Sequence, residues 1–194
     1  MVSKHIKSIC RGVTVNTKRT LGALVALFVL AVGSTCFSTD LVLNDSPVKV
    51  LFNPGGRCAD AVVSEINNAK TDILVQAYSF PSKPIAEALV EAHKRGVKVE
   101  AVIDGRRNTG QDSKARLLVD SKVPVFTDTG HPSAHNKVMV VDGKTVITGS
   151  FNFTKQAGKN AENLLIIKSP ELAKLYADNW NEHRQHSEVF VPAD

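Results

Sequence analysis

The chain has 194 residues, 43% hydrophobic and 22% charged, with a formal net charge of +5. That excess is confined to the N-terminus: Lys4, Lys7, Arg11, Lys18 and Arg19 precede residue 38 with no acidic residue among them, which leaves 19 basic against 19 acidic residues beyond it. A balanced charge there excludes global attraction to a polyanion, so affinity for phosphate has to come from local clusters, and aromatic residues at 6% exclude an extended base-stacking platform.

The basic N-terminal segment runs into the apolar stretch Leu21 to Val32, short for a membrane span of roughly 20 residues, and then into Gly33-Ser34-Thr35. Residues 1–38 therefore predict a signal peptide, cleaved after Gly33 or Ser38, and export to the periplasm or the medium. Extending the apolar run to Phe37 leaves an uncleaved N-terminal anchor as the alternative. Cys10 belongs to this leader, Cys36 straddles the cut and Cys58 alone is securely mature, so no disulfide framework follows.

Residues 39–194 are long enough for one domain with a sizeable core. Val48 to Asn53 predicts a strand, Ala59 to Ala69 an amphipathic helix and Ile73 to Ser79 a buried strand. Pro84 suits the first turn of a helix that Gly96 ends, and Val97 to Ile103 is the next strand. Ser113 to Val119 is expected to be helical and Val123 to Thr127 a short strand. Asp142-Gly143 signals a two-residue hairpin between a strand through Val138 and Val140 and a return strand over Lys144 to Thr148. Leu164 to Ile167 is a last strand, and Pro170 to Arg184 a closing helix buried along Leu172, Leu175, Tyr176 and Trp180. This alternation predicts a layered α/β/α sandwich with a central mixed β-sheet. Gly105 to Asp112 and Asp128 to Ser133 are the long loops, with His131 a rim residue in the second.

The chemistry concentrates between His135 and Asn152, in the pattern H-x-K-x(4)-D-x(6)-G-S-x-N. In extended backbone, residues two apart share a face, so His135 and Lys137 project together while Val138 and Val140 alternate with them. The hairpin returns Ser150 and Asn152 toward that pair, with Phe151 and Phe153 as anchors on the opposite parity. A lysine ammonium beside a histidine disfavours the imidazolium and leaves a ring nitrogen able to attack phosphorus. The same cation, with serine and asparagine as donors, neutralises charge spreading over phosphoryl oxygens. A cation in the middle of the cluster opposes a divalent metal, and neither H-E-x-x-H nor paired-cysteine spacing occurs, so no metal and no cofactor is expected.

This pattern resembles the signature of the phospholipase D superfamily. Ala77-Tyr78-Ser79-Phe80, Val102-Ile103-Asp104 and Gly149-Ser150-Phe151-Asn152-Phe153-Thr154-Lys155 are similar to words in its small single-motif bacterial endonucleases, over roughly residues 47–185. The resemblance implies that His135 attacks phosphorus to give a phosphohistidine, that a second histidine protonates the leaving oxygen, and that water then releases product. Lys137 and Asn152 would hold non-bridging oxygens with Ser150 in support, and Glu162 would orient the histidine by accepting its other N–H. Asp142, of opposite parity, would fix the hairpin and contact a histidine. Arg106, Arg107 and Lys155 are the expected substrate-binding cations, with Lys159 nearby. His5, His93, His131, His183 and His186 do not complete a second motif, so a homodimer with one shared site is implied. The expected substrate is DNA, with RNA as a further one; the alternative is a phospholipase D or cardiolipin hydrolase acting on headgroups.

Overall fold

The computed structural model describes residues 38–79, 82–107 and 115–192. The expected leader with Cys10 and Cys36, Phe80, and the stretch from Asn108 to Lys114 lie outside the described residues. In chain order the elements are β1 (Val48–Asn53), α1 (Cys58–Asn68), β2 (Asp72–Ala77), α2 (Lys83–Lys94), β3 (Lys98–Asp104), α3 (Ala115–Asp120), β4 (Val125–Asp128), β5 (Lys137–Val141), β6 (Thr145–Gly149), β7 (Glu162–Lys168), α4 (Pro170–Gln185) and β8 (Ser187–Val189). A short 3-10 turn, Ala157–Lys159, precedes β7.

These strands form one mixed sheet in the order β1-β7-β6-β5-β2-β3-β4-β8. Strands β2, β3 and β4 are parallel neighbours, whereas β5 runs antiparallel to β2. Strand parity decides which layer each side chain meets. Ile73, Val75, Val99, Ala101, Ile103, Met139, Val141 and Ile147 pack with α1, α2 and α3 in the main core. Val138, Val140 and Val146 point the other way and meet Ala173, Leu172 and Tyr176 of α4. With both faces covered, the central strands are continuously apolar rather than alternating.

Local chemistry sets the helix starts. Ser169 accepts a 3.2 Å hydrogen bond from the Leu172 amide, and Pro170 occupies the first helical position of α4. Trp180 then anchors α4 by donating its indole N–H to the Val75 carbonyl at 2.8 Å. Its burial satisfies both the apolar ring and its single donor.

Three local expectations need correction. The hairpin loop holds three residues rather than two, since Val141 pairs with Thr145. Asp142 (φ 53°) and Gly143 (φ 58°) do take the left-handed conformations of a primed turn, and Lys144 donates to the Val141 carbonyl at 3.1 Å. Strand β5 begins at Lys137, so His135 precedes the ladder instead of lying within it. Strand β8 was not expected, because a three-residue strand carries too few residues to show an alternation; it pairs antiparallel with β4.

Candidate active site

In a sheet with parallel β2, β3 and β4, the C-terminal ends of those strands open onto one edge. The antiparallel order brings the N-terminal ends of β5 and β7 and the C-terminal end of β6 to that same edge. Tyr78, Asp104, His135, Lys137, Ser150 and Glu162 therefore converge although the sequence scatters them. The Tyr78 amide donates to the Asn136 carbonyl at 2.9 Å, extending the β2·β5 pairing up to the residue beside His135.

Lys137 is buried, and its Nζ lies 2.9 Å from His135 Nδ1 and 2.6 Å from the His135 carbonyl oxygen. Burial lowers its pKa and the nearby Glu162 charge opposes this, with a net result below the ordinary lysine value. His135 itself is exposed and lies against Tyr78, ring centroids 4.3 Å apart and planes tilted by 59°. The Tyr78 ring also carries the Lys137 ammonium at 5.0 Å and the Arg107 guanidinium at 5.4 Å, and Arg107 Nε donates to the Tyr78 hydroxyl at 2.6 Å. Of the expected cations, Arg107 thus joins the site through Tyr78. Arg106 and Lys155 are exposed, and no contact among the described residues ties their side chains to His135.

The return arm of the hairpin is built around a glycine. Gly149 has φ 150°, and a Cβ there would collide with the Asn163 carbonyl. That close approach lets Ser150 Oγ donate to Glu162 Oε2 at 2.5 Å while accepting from the Asn163 amide at 3.0 Å. Glu162 Oε1 accepts from Asn160 Nδ2 at 3.1 Å. Within the chain the Glu162 oxygens are thus engaged by Ser150 and Asn160, not by His135 as expected. Phe151 and Phe153 are fully buried and anchor the segment, as their parity predicts. The half-buried Asn152 has an amide oxygen with no hydrogen-bond partner among the described residues, so the fold does not use that group fully.

Asp142 lies at the opposite end of β5, and the expected contact with a histidine is not made. Its Oδ1 accepts from the Lys70 and Thr71 amides at 2.8 Å each and from the Thr71 hydroxyl at 3.1 Å. Burial raises its pKa, the hydrogen bonds from Thr71 and Lys70 lower it more, and it ends below the ordinary carboxyl value. Its role is to fasten the hairpin to the α1–β2 connection. Asp142 lies five residues beyond Lys137 along extended backbone, about 17 Å at the rise of a strand, and this separates the carboxylate from the reaction centre.

Two positioning residues were missed in the sequence. Buried Asp104 accepts from the Arg106 and Arg107 amides at 3.0 and 2.9 Å through one oxygen, and from the Ala134 amide at 2.8 Å through the other. One carboxylate therefore holds both the arginine loop and the residue before His135. Its signal was a carboxylate closing an apolar strand just before Gly105. Tyr78 was part of a recognised word without a role. His131, expected at the rim, instead engages Asp128 at 3.0 Å.

Residues 62–184 match the family described as cardiolipin synthase, PLD-like domain. The chain belongs to the phospholipase D superfamily. It is a phosphodiesterase hydrolase of that superfamily, and its mixed sheet with flanking helices is the family fold. The phospholipase D of Rickettsia prowazekii is 42% identical over 139 residues, 71% of this chain and 68% of that protein. The mitochondrial cardiolipin hydrolase of Xenopus tropicalis is 34% identical over 62% of this chain and 59% of its own length. The crystal structure of Nuc, a phospholipase D family member from Salmonella typhimurium, superposes with a TM-score of 0.71 and 41% identity, covering 75% of this chain and 99% of that one. NucT from Helicobacter pylori, 22% identical with a TM-score of 0.68 over 75% of this chain and all of its own, shares the fold.

Proposed function

We propose that this chain is an exported endonuclease that cleaves nucleic-acid phosphodiesters, with no metal at the reacting phosphorus, as a homodimer whose two copies of His135 share one site. The observation that carries the substrate class is the polarity of the mouth. Against exposed His135 lies Tyr78, which carries Arg107 on its hydroxyl, and near Lys137 stands Glu162, held by Ser150 and Asn160, side chains that suit a phosphate flanked by sugars better than one flanked by acyl chains. The 41% identity to Nuc over 99% of its length, and the resemblance to small single-motif endonucleases, support the same reading.

The dimer follows from the chemistry. Attack by one imidazole needs an unprotonated nitrogen, and departure of an alkoxide needs a proton donor. Among the described residues the remaining imidazoles are His93 on α2 and the three grouped at Asp128, so the donor is supplied by a second copy. When a phosphate draws the Lys137 ammonium onto its non-bridging oxygens, His135 Nδ1 is released to take the ring proton. Nε2 then forms the bond to phosphorus, the P–O bond to the leaving oxygen breaks, and the partner's His135, entering the step as an imidazolium, gives that oxygen its proton. Water, deprotonated by the same partner imidazole, hydrolyses the phosphohistidine. Lys137 and Asn152 stabilise the equatorial oxygens in both steps.

A phospholipid headgroup is the second reading, favoured by the names of the rickettsial and Xenopus relatives. Incubating the protein in EDTA with supercoiled plasmid, and separately with phosphatidylcholine or cardiolipin vesicles, separates the two. Nicking without headgroup release, lost in His135→Ala, is the expected result. Headgroup release without nicking would replace the endonuclease by a lipase.

A further inference from the structure

Strand β4 ends in Asp128, whose carboxylate is fully buried. Three imidazoles face it: His183 Nδ1 at 2.6 Å and His131 Nδ1 at 3.0 Å from Oδ2, and His186 Nε2 at 3.3 Å from Oδ1. The three rings are packed together, with centroids 4.8, 5.1 and 5.4 Å apart. One ligand atom from each of the four residues lies within 4.8 Å of all the others. The reaction centre at His135 uses none of them.

We propose that Asp128, His131, His183 and His186 form a structural binding site for a divalent transition-metal ion, zinc by preference, outside the reaction centre. Three imidazole nitrogens and one carboxylate oxygen are a donor set that suits zinc, and they are too poor in oxygen for magnesium or calcium. A tetrahedron with bonds of 2.0–2.1 Å has edges of about 3.3 Å. The carboxylate–imidazole separations of 2.6 to 3.3 Å lie at or just below that edge, and the widest ligand-to-ligand separation, within 4.8 Å, would have to close by up to about 1.5 Å around an ion. The nitrogens that face the carboxylate are the ones that would turn to the ion, each neutral ring then carrying its proton on its other nitrogen.

The chain supports the cluster from both sides. The ligands come as two pairs, Asp128-x-x-His131 and His183-x-x-His186, one from the end of β4 and one from the last turn of α4 and its cap. Two ligands from each of two segments is the usual arrangement of a structural zinc site. Gly130 makes room for it: a Cβ there would come within 2.8 Å of His186 Cδ2. The Gly130 amide also donates to Asp128 Oδ1 at 3.0 Å, which holds the carboxylate in place.

The ion would join pieces that are otherwise lightly tied. Strand β8 pairs with β4 over three residues only. The β4–β5 connection, residues 129–136, carries His131 near its start and His135 near its end. A zinc ion would staple the α4–β8 corner to that connection while leaving the Lys137 cation and the reacting phosphate untouched.

The test uses tag-free full-length protein, dialysed against chelator and titrated with zinc chloride. Elemental analysis after gel filtration and the visible spectrum of the cobalt(II) form give stoichiometry and geometry. The expected result is one ion per chain, a tetrahedral cobalt spectrum and a melting temperature that rises with zinc. His131→Gln and His186→Gln, both at solvent-exposed positions, should bind more weakly by more than the about 10–100-fold that loss of an outer-shell partner costs, and should lose the thermal shift. His135→Ala should bind as wild type. No saturable binding, unchanged binding in both glutamine variants, or loss of binding in His135→Ala would each overturn the proposal.

Discussion

The Lys137 Nζ lies 2.9 Å from Nδ1 of His135 and 2.6 Å from its carbonyl oxygen, so one buried cation is fastened to both the ring and the backbone of the same residue. The lysine is thus placed to turn from the imidazole to the phosphate when substrate arrives. Lys137→Ala should lower kcat by on the order of 10²–10³, the cost of one oxyanion donor. KM should change much less. Single-turnover kinetics on a defined oligonucleotide measures both, and a variant with wild-type kcat would remove Lys137 from the transition state.

Buried Lys137 has a pKa below the ordinary value of 10.5, with burial as the larger cause and Glu162 opposing it. The sign for activity follows: the cation is lost at a lower pH than an exposed lysine would lose it, so activity should decline on the alkaline side before pH 10.5 is reached. Lys137→Arg keeps its charge throughout that range and should move the alkaline limb upward, at some cost in absolute rate because a planar fork replaces a point charge. Identical alkaline limbs in the two proteins would show that another group titrates there.

A site needing one imidazole from each of two chains responds non-linearly to dilution with dead subunits. Refolded mixtures of wild type with an equal amount of His135→Ala should retain about one quarter of the activity, because only dimers with two intact copies work. Retention of half, in linear proportion to the intact chains, would mean that each chain acts alone.

Asp142 should matter to stability rather than to turnover. Asp142→Ala leaves the Lys70 and Thr71 amides without their acceptor, which costs about 1–3 kcal/mol. The carboxyl is depressed below 3.8 in the fold, so its contribution is present above that pH and is lost as pH falls through the folded value. Urea melts at pH 7 and pH 3 should therefore differ less in the variant than in wild type, with kcat of the folded protein unchanged. A variant of wild-type stability with a collapsed kcat would return Asp142 to the reaction centre.

Much of this was legible because it is local. Short apolar runs such as Ile73 to Ala77 and Val99 to Ile103, a proline at the start of α4, and left-handed Asp142-Gly143 each depend on a few neighbouring residues, so pattern alone placed β2, β3, α4 and the β5–β6 hairpin. The spacing of His135, Lys137, Ser150 and Asn152 was likewise readable, since a single hairpin joins them. Strand β8 escaped because its conformation comes from pairing with β4 and not from its own composition.

Long-range pairing accounts for the rest. Asp142 sits in the motif by sequence, yet its carboxylate binds amides 71 and 72 positions away at the far edge of the sheet, because an extended strand carries its two ends in opposite directions. Asp128 and His183, 55 positions apart, meet because β8 folds α4 back onto β4. Composition and spacing could name the phosphodiester chemistry and candidate side chains for it. Which carboxylate serves which partner was a matter of sheet order, and sheet order is set by which apolar faces bury one another across the whole chain.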